Sequence, residues 1–547
     1  MGNNLFLPDS NYFFSSSTMP SPSYKQKELM DYFFTQCEDK DYYVCNNPKC
    51  GTRKKQKVNT GYTNLKNHLR SCVGSDFEEV YVDLLKSSKG KGRLDSYGFI
   101  NSKEKDVFQV LEWIVMRNHP LSEVDNQLTR TILTTKPISS KTLRKYILSL
   151  TPHVEKAIAD DLPALFALEF DGWTSGSVHY VALFASYMKN GVHKETLLAL
   201  APLLNEETLG AEQHIEFIGA TLELYNKALD NVVAFIGDNC ATNRKISNET
   251  NIPLIGCASH RFNLAIHAWL KENEEFSTTL EAIHDLMIQL RQLKNSARLR
   301  SLTDLCPVID NITRWSSKYE MAKRYIRIEA EVKEIEELDD YVLSTRSRRI
   351  LDTLMNHLSK FESITKNLQK RGISPDMVRS VFDVICDDYP AMRDYLHHHA
   401  NIVNNPDFES GLVKIMARDF LNLSEGERRA IYSLKKVQVD EHSTPSSAVD
   451  KEYFEECKSR KRRRLSEEEE QYIDCSFCVA TSNTVERLFS ACKYVLTDQR
   501  KSMSPIMFEA LMFLQVNRDF WDLPMLAKAM KNQSPRGAET DLDSYYQ

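Results

Sequence analysis

The chain contains no apolar run near the eighteen or so residues needed to cross a bilayer, and its N-terminus lacks the basic and apolar regions of a signal peptide. Membrane insertion and export are therefore not expected, and the protein is read as intracellular. An excess of positive charge is also missing. The formal net charge of −6 argues against a protein whose whole surface binds polyanions. A disulfide framework is disfavoured too, because twelve cysteines in a long intracellular chain point to metal ligation or buried thiols. What the sequence has is length and core material. Its 547 residues, 42% of them hydrophobic, are too many for one core; the usual domain size predicts roughly three to four structural units.

The charge is unevenly spread. Residues 49 to 70 hold Lys49, Arg53, Lys54, Lys55, Lys57, Lys66 and Arg70 and no Asp or Glu, a local footprint for nucleic acid. Cys45, Cys50, His68 and Cys72 form the spacing C-x4-C-x17-H-x3-C, which suits tetrahedral zinc. In GYTNLKNHLRSC, one helical turn separates His68 from Cys72, so both ligands share a face. Leu65 and Leu69 then pack inward, leaving Asn64, Lys66, Asn67 and Arg70 on the outer side. With Tyr32, Phe33 and Phe34 upstream, this stretch resembles the BED-type zinc finger, a DNA-binding module. The resemblance, with the missing acids, implies DNA contacts from Lys54, Lys55, Asn64, Lys66, Asn67 and Arg70.

Along the chain, residues 1–24 read as a disordered leader, 25–72 as the finger and 73–102 as a polar linker. Residues 103–160 have helical spacing, with Ser140 as an expected N-cap. Short apolar runs follow at 165–170, 178–188 and 193–203, the last two joined by the Lys189-Asn190-Gly191 turn; they predict consecutive antiparallel strands. A helix from about 210 to 228 leads to further strands at 232–237 and 252–256, completing an α/β domain over 161–270. Residues 271–437 read as a long helical insertion. Residues 438–470, with KSRKRRR at 458–464 followed by SEEEE, read as a disordered loop carrying a nuclear localisation signal or a nonspecific phosphate contact. Order resumes over 471–530, before a disordered tail at 531–547.

Two aspartates follow strands: Asp171 in FDGWTS and Asp238 in IGDNCATN. Functional groups of α/β sheets collect beyond the carboxyl ends of their strands, so the two are expected to converge. In TSNTVERLFSACKYVL, Val485, Leu488, Phe489, Cys492 and Leu496 form an apolar stripe with Glu486 on its flank. Plain structural roles are also open to these acids: a turn for Asp171, a helix cap for Asp238, a capping box for Glu486.

FDGWTS, GDNCATN, CASHRFNLAI, TRWSSKYEMAKRY, SNTVERLFS and a closing VNRDFW occur in the order found in hAT transposases, which the chain resembles from about 105 to 521. That resemblance implies a multidomain α/β plus α protein: a BED-type finger, a small helical domain, and an RNase H-like catalytic domain interrupted by the helical insertion. It implies Asp171, Asp238 and Glu486 as catalytic acids holding Mg²⁺ or Mn²⁺, the hard cations that carboxylates prefer. It further implies Cys257 and His260 as active-site support, Arg314 and Trp315 as DNA contacts, and self-association through the region opened by Ser504-Pro505. The lone pair Cys475 and Cys478 reads as buried thiols.

The expected function is zinc-dependent DNA binding with metal-assisted cleavage and strand transfer in the nucleus. The alternative is a domesticated, catalytically silent transposase acting as a transcription or chromatin regulator. Double-stranded DNA and a second copy are the expected partners, with no membrane and no small-molecule substrate.

Overall fold

A computed structural model describes residues 26–81, 102–436, 471–497 and 503–532, apart from positions 38, 48, 49, 58, 59, 76, 79, 80, 204, 206, 207, 312 and 313. The leader, most of the linker, the basic run at 458–464 and the tail beyond 532 lie outside the described residues. The chain is mixed α/β and mostly helical, and it divides into two compact units. One comprises residues up to Val154 together with those from Arg518 onward; the other is Glu155–Asn517.

In the first unit, helix α1 (Gln26–Phe33) runs directly into β1 (Phe34–Gln36), which pairs antiparallel with β2 (Tyr42–Cys45); β2 pairs in turn with β3 (Arg53–Lys55). Helix α2 (Thr63–Cys72) closes this small structure. Leu29, Met30, Phe33, Phe34, Leu65 and Leu69 form its core, as the sequence predicts for the two leucines, and Phe77 and Tyr81 join it. The core of this small structure therefore takes in residues past Cys72, in the stretch the sequence suggested was linker, because the Phe77 and Tyr81 rings are buried in it.

Helices α3 (Ser102–Met116) and α4 (Ser140–Asp161) follow. Ser139, not Ser140, supplies the cap of α4: its Oγ accepts the Thr142 N–H at 3.2 Å. Trp521 packs edge-on against Phe108, and the helix Leu523–Asn532 lies against α3. Residues 518–532 thus group with the N-terminal helices.

The second unit is built on a five-stranded sheet of order β6-β5-β4-β7-β8. Strands β4 (Phe166–Ser175), β5 (Val178–Lys189) and β6 (Val192–Pro202) form the expected antiparallel meander. Asn190 and Gly191 both adopt positive φ in the turn between β5 and β6, where glycine has no steric penalty. Helix α5 (Ala211–Leu224) crosses to β7 (Val232–Gly237), which is parallel to β4; α6 (Ala241–Thr250) leads to β8 (Leu254–Gly256), parallel to β7. All six residues of β7 are buried, as expected for a strand covered on both faces.

The helices beyond β8 form two groups. Helices α7 (Ala258–Glu272), α8 (Glu274–Arg291), α9 (Trp315–Val332), α10 (Thr345–Leu368) and α11 (Pro375–Asp388) share one core, in which Phe262, Leu286, Tyr325, Leu354 and Phe361 are buried together. Helix α12 (Pro406–Met416) and the turns after it do not belong to that core. Phe408, Leu412, Ile415 and Ile431 pack with Ala167, Ala234 and Ile236 of the sheet and with Phe477 and Cys478. The insertion therefore has its own core only through about residue 396, and the segment from 406 onward covers the sheet. Cys475 and Cys478 are buried, as anticipated.

Helix α13 (Asn483–Val495) buries Val485, Leu488, Phe489, Cys492 and Val495; Val495 takes the place assigned to Leu496. Helix α14 (Pro505–Val516) begins with Pro505 as expected and lies against β6. Seven of its residues, from Met507 to Leu514, are buried, so this helix spends its apolar surface on its own chain. Just past it, the Asn517 amide exchanges both hydrogen bonds with the backbone of Leu197, donating at 2.8 Å and accepting at 3.2 Å. A side chain thereby stands in for a neighbouring strand beside β6.

Candidate metal centres

Cys45 ends β2, Cys50 lies in the turn that follows, and His68 and Cys72 lie one turn apart on α2. Their ligand atoms all fall within 4.8 Å of one another. The Cys45 and Cys72 Sγ atoms are 3.9 Å apart, and Cys50 Sγ is 3.4 Å from His68 Nε2. For zinc with bonds of about 2.3 Å to sulfur and about 2.0 Å to nitrogen, tetrahedral edges come to roughly 3.8 and 3.5 Å. The two measured edges match such a tetrahedron, and the cluster fits a metal ion such as zinc. The Asn47 amide donates to Cys72 Sγ at 3.3 Å, and the Phe34 ring lies 5.8 Å from the imidazole, so both ligand types have supporting contacts. Burial pushes the Cys45 thiol up to about 12, leaving a proton that metal binding must displace.

The second centre is acidic. The parallel ladder between β4 and β7 pairs Glu169 with Ile236; continuing it by two residues sets Asp171 beside Asp238. Asp171 does not lie after its strand, because β4 runs on along β5 to Ser175, pairing Asp171 with Ala182. It lies beyond the part of β4 that β7 covers. Burial pushes its carboxyl up to about 7, with the charges of Asp238 and Glu486 adding to the shift and the Gly172 N–H, accepted at 2.8 Å, opposing it. The three acids therefore interact through space. Glu486 is brought there by α13, which packs on β4 through stacking of Phe489 on Trp173 at 5.7 Å; Trp173 stacks in turn on Tyr180.

None of the plain roles open to these acids is filled. The cap of α6 is Cys240, whose sulfur accepts the Asn243 N–H, and Asp238 instead accepts the Asn243 side-chain amide at 2.8 Å. No capping box forms around Glu486, since Asn483 donates to Leu368 O and to Ser259 and Thr481 oxygens. The Glu486 carboxylate meets the Arg314 guanidinium at 2.6 Å. The three acids are not gathered within 4.8 Å of one another; among the described residues Cys45, Cys50, His68 and Cys72 alone form a cluster that compact.

Two further residues of this centre escaped sequence reading. Asn243 is buried and donates to both the Asp238 backbone oxygen, at 3.0 Å, and its carboxylate. Gly237 makes room for it: a Cβ there would meet Asn243 Nδ2 and Phe170 O at 3.2 Å each. Glu169 sits one pleat below Asp171, fully buried, with neither carboxyl oxygen hydrogen-bonded among the described residues. Burial, then the charge of Glu195, hold it well above the ordinary carboxylate range, against the pull of Arg487. The alternating Glu-x-Asp of β4 was the available signal.

Of the remaining candidates, Cys257 is buried and its sulfur accepts the Ser482 N–H at 3.5 Å, joining the end of β8 to the start of α13. His260, on α7, is half-buried. Trp315 is only 2% exposed and packs on Phe361, so its indole is a core group and is not available to stack on a base. Arg314 is the exposed member of that pair. Around the Cys/His cluster, Lys66 is ion-paired to Glu78 at 2.7 Å, the Asn64 amide donates to Lys55 O, and Asn67 accepts from Arg70. The outer face of α2 is thus partly engaged with its own chain, while Lys54 and Lys55 lie on β3.

Set against known proteins, no family model matches the chain and no curated protein matches it.

Proposed function

We propose that the chain is a DNA-processing protein of the hAT transposase kind: a BED-type zinc finger binds double-stranded DNA, and an RNase H-like domain cuts and joins it. The reading is carried by one arrangement, Asp171 within β4 and Asp238 just past the parallel strand β7, in neighbouring register, with a glutamate on a helix packed on β4. Three mutually repelling carboxylates form a hard-oxygen donor set whose charge a divalent cation relieves, so Asp171, Asp238 and Glu486 fit Mg²⁺ or Mn²⁺. Bound there, such ions supply an activated oxygen nucleophile and charge neutralisation at a phosphodiester.

The chain's own groups do the rest. Asn243 holds one oxygen of Asp238 and so orients its carboxylate. Arg314, 63% exposed in its side chain, offers its guanidinium to a backbone phosphate near Glu486. Nuclear location and self-association belong to the same reading. The buried surface of α14 directs self-association to other faces.

The test is nicking of supercoiled plasmid that carries the DNA flanking the coding sequence, with Mg²⁺ or Mn²⁺, comparing the parent with Asp238→Ala. The parent nicks and the variant does not; equal nicking by both removes the catalytic assignment. A second reading, a DNA-binding regulator that no longer cuts, is favoured by the ion pair that occupies Glu486 with Arg314. It predicts DNA binding with no metal-dependent nicking by either protein.

A further inference from the structure

Resting on the reading of the finger as a DNA-binding module, we infer that its DNA face is the strand β3 and not the outer side of α2. In the hairpin, Tyr42 is directly opposite Lys55 and Val44 opposite Arg53, so Tyr42, Arg53 and Lys55 share one face. The Arg53 guanidinium lies 4.1 Å from the centre of the Tyr42 ring and the Lys55 ammonium 5.6 Å from it. Lys57 continues the alternation: Arg53, Lys55 and Lys57 are exposed, while Lys54 is half-buried and Gln56 is buried. Gln56 locks the register by accepting the Asn64 N–H at 3.2 Å, which ties the end of this segment to the start of α2.

Three cations thus stand on one side of an extended segment at every second residue, about 6.6–6.8 Å apart. That spacing is comparable with the separation of successive phosphates along one strand of a nucleic acid. None of the three is ion-paired among the described residues, although Asp39 and Asp41 lie in the hairpin turn next to Lys57. The α2 side differs on this point, since Lys66 is held by Glu78 and Arg70 by Asn67. Tyr42 adds preorganisation: a guanidinium resting on a ring keeps its N–H edge outward, so less side-chain freedom is lost on meeting phosphate. The occupant is the sugar-phosphate backbone of duplex DNA, which positions the finger without specifying sequence.

The experiment uses the full chain, a fluorescent 30-base-pair duplex of mixed sequence, and a salt titration. In the triple variant Arg53→Gln, Lys55→Gln, Lys57→Gln, affinity falls at least tenfold; the slope of log K against log salt drops by about 2.7, near 0.9 per lost phosphate contact. The variant Asn64→Ala, Asn67→Ala, Arg70→Gln stays within threefold of the parent. Zinc content is measured alongside; should the strand variant lose zinc, Lys57→Gln alone and the charge-keeping Arg53→Lys, Lys55→Arg replace it, with a slope loss near 0.9 and an unchanged slope expected in turn. Loss of binding in the helix variant with the strand variants unaffected overturns the inference while DNA binding stands. A parent that binds no duplex at any salt overturns both the inference and the reading beneath it.

Discussion

Asp171 sits where burial and two neighbouring negative charges meet, and its carboxyl titrates at about 7. A carboxyl held above its ordinary value binds its proton more tightly folded than unfolded, so it lowers stability progressively as pH rises from about 4 to about 7 and keeps it low above. In metal-free protein, Asp171→Asn should raise stability at pH 8 by on the order of 2 kcal/mol and change it little at pH 4. Thermal melts of parent and variant at the two pH values check this, and a variant less stable than the parent at pH 8 contradicts it. Asn243→Ala removes a charge-assisted hydrogen bond to Asp238 of the sort that contributes about 1.5–3 kcal/mol. The expected result is at least a tenfold rise in the Mn²⁺ concentration that half-saturates the acid site, with zinc content unchanged. At this scale the sequence shows which acids to consider, because Asp171, Asp238 and Glu486 stand in recognisable wording. It does not show Asn243 or Glu169, whose importance comes from contacts five residues away or across a sheet, nor that Trp315 is buried while Arg314 is exposed.

The strands of the second unit are legible as elements because their apolar runs are long and bounded by turn residues. Their ends are less so: β4 extends five residues past its apolar run, since pairing with β5 satisfies the backbone of Asp171–Ser175 whatever the side chains are. The boundary of the insertion was misplaced for a related reason. Helix α12 has the same periodicity as its predecessors, and only the partner of its apolar face distinguishes sheet cover from insertion. Arg261 on α7 shows what joins the two groups of helices. Its guanidinium meets Glu409 of α12 at 3.1 Å and donates to the carbonyl oxygens of Tyr395, Leu396 and His397. The pair is nearly buried, so Arg261→Met leaves Glu409 uncompensated and should cost about 3–5 kcal/mol. Chemical denaturation measures it; a cost below 1 kcal/mol would show that this pair does not bind the two layers together.

On the scale of the whole molecule, the two compact units should answer separately to metal. Chelation should unfold the small structure that carries the Cys/His cluster, because the nine buried residues described in its core are too few to hold it without a bound metal. The sheet of the second unit has no share in that cluster, so calorimetry in chelator is expected to lose one transition and keep the other. Zinc affinity should weaken as pH falls, since the Cys45 thiol must lose a proton to bind. Loss of both transitions together would deny the division. The finger's ligands were plain in the sequence from spacing alone, whereas its last aromatic residues, Phe77 and Tyr81, were hidden in polar surroundings.

The bonds between Asn517 and Leu197 span 320 positions, and α14 covers β6 from the same end of the chain. During synthesis, the outer edge of β6 is therefore not sheltered until some 320 further residues have emerged. A message truncated before codon 505 would yield a product with a bare, apolar strand edge, prone to pair with its own copies. Such products should appear in the pellet of a cell lysate and not in the supernatant.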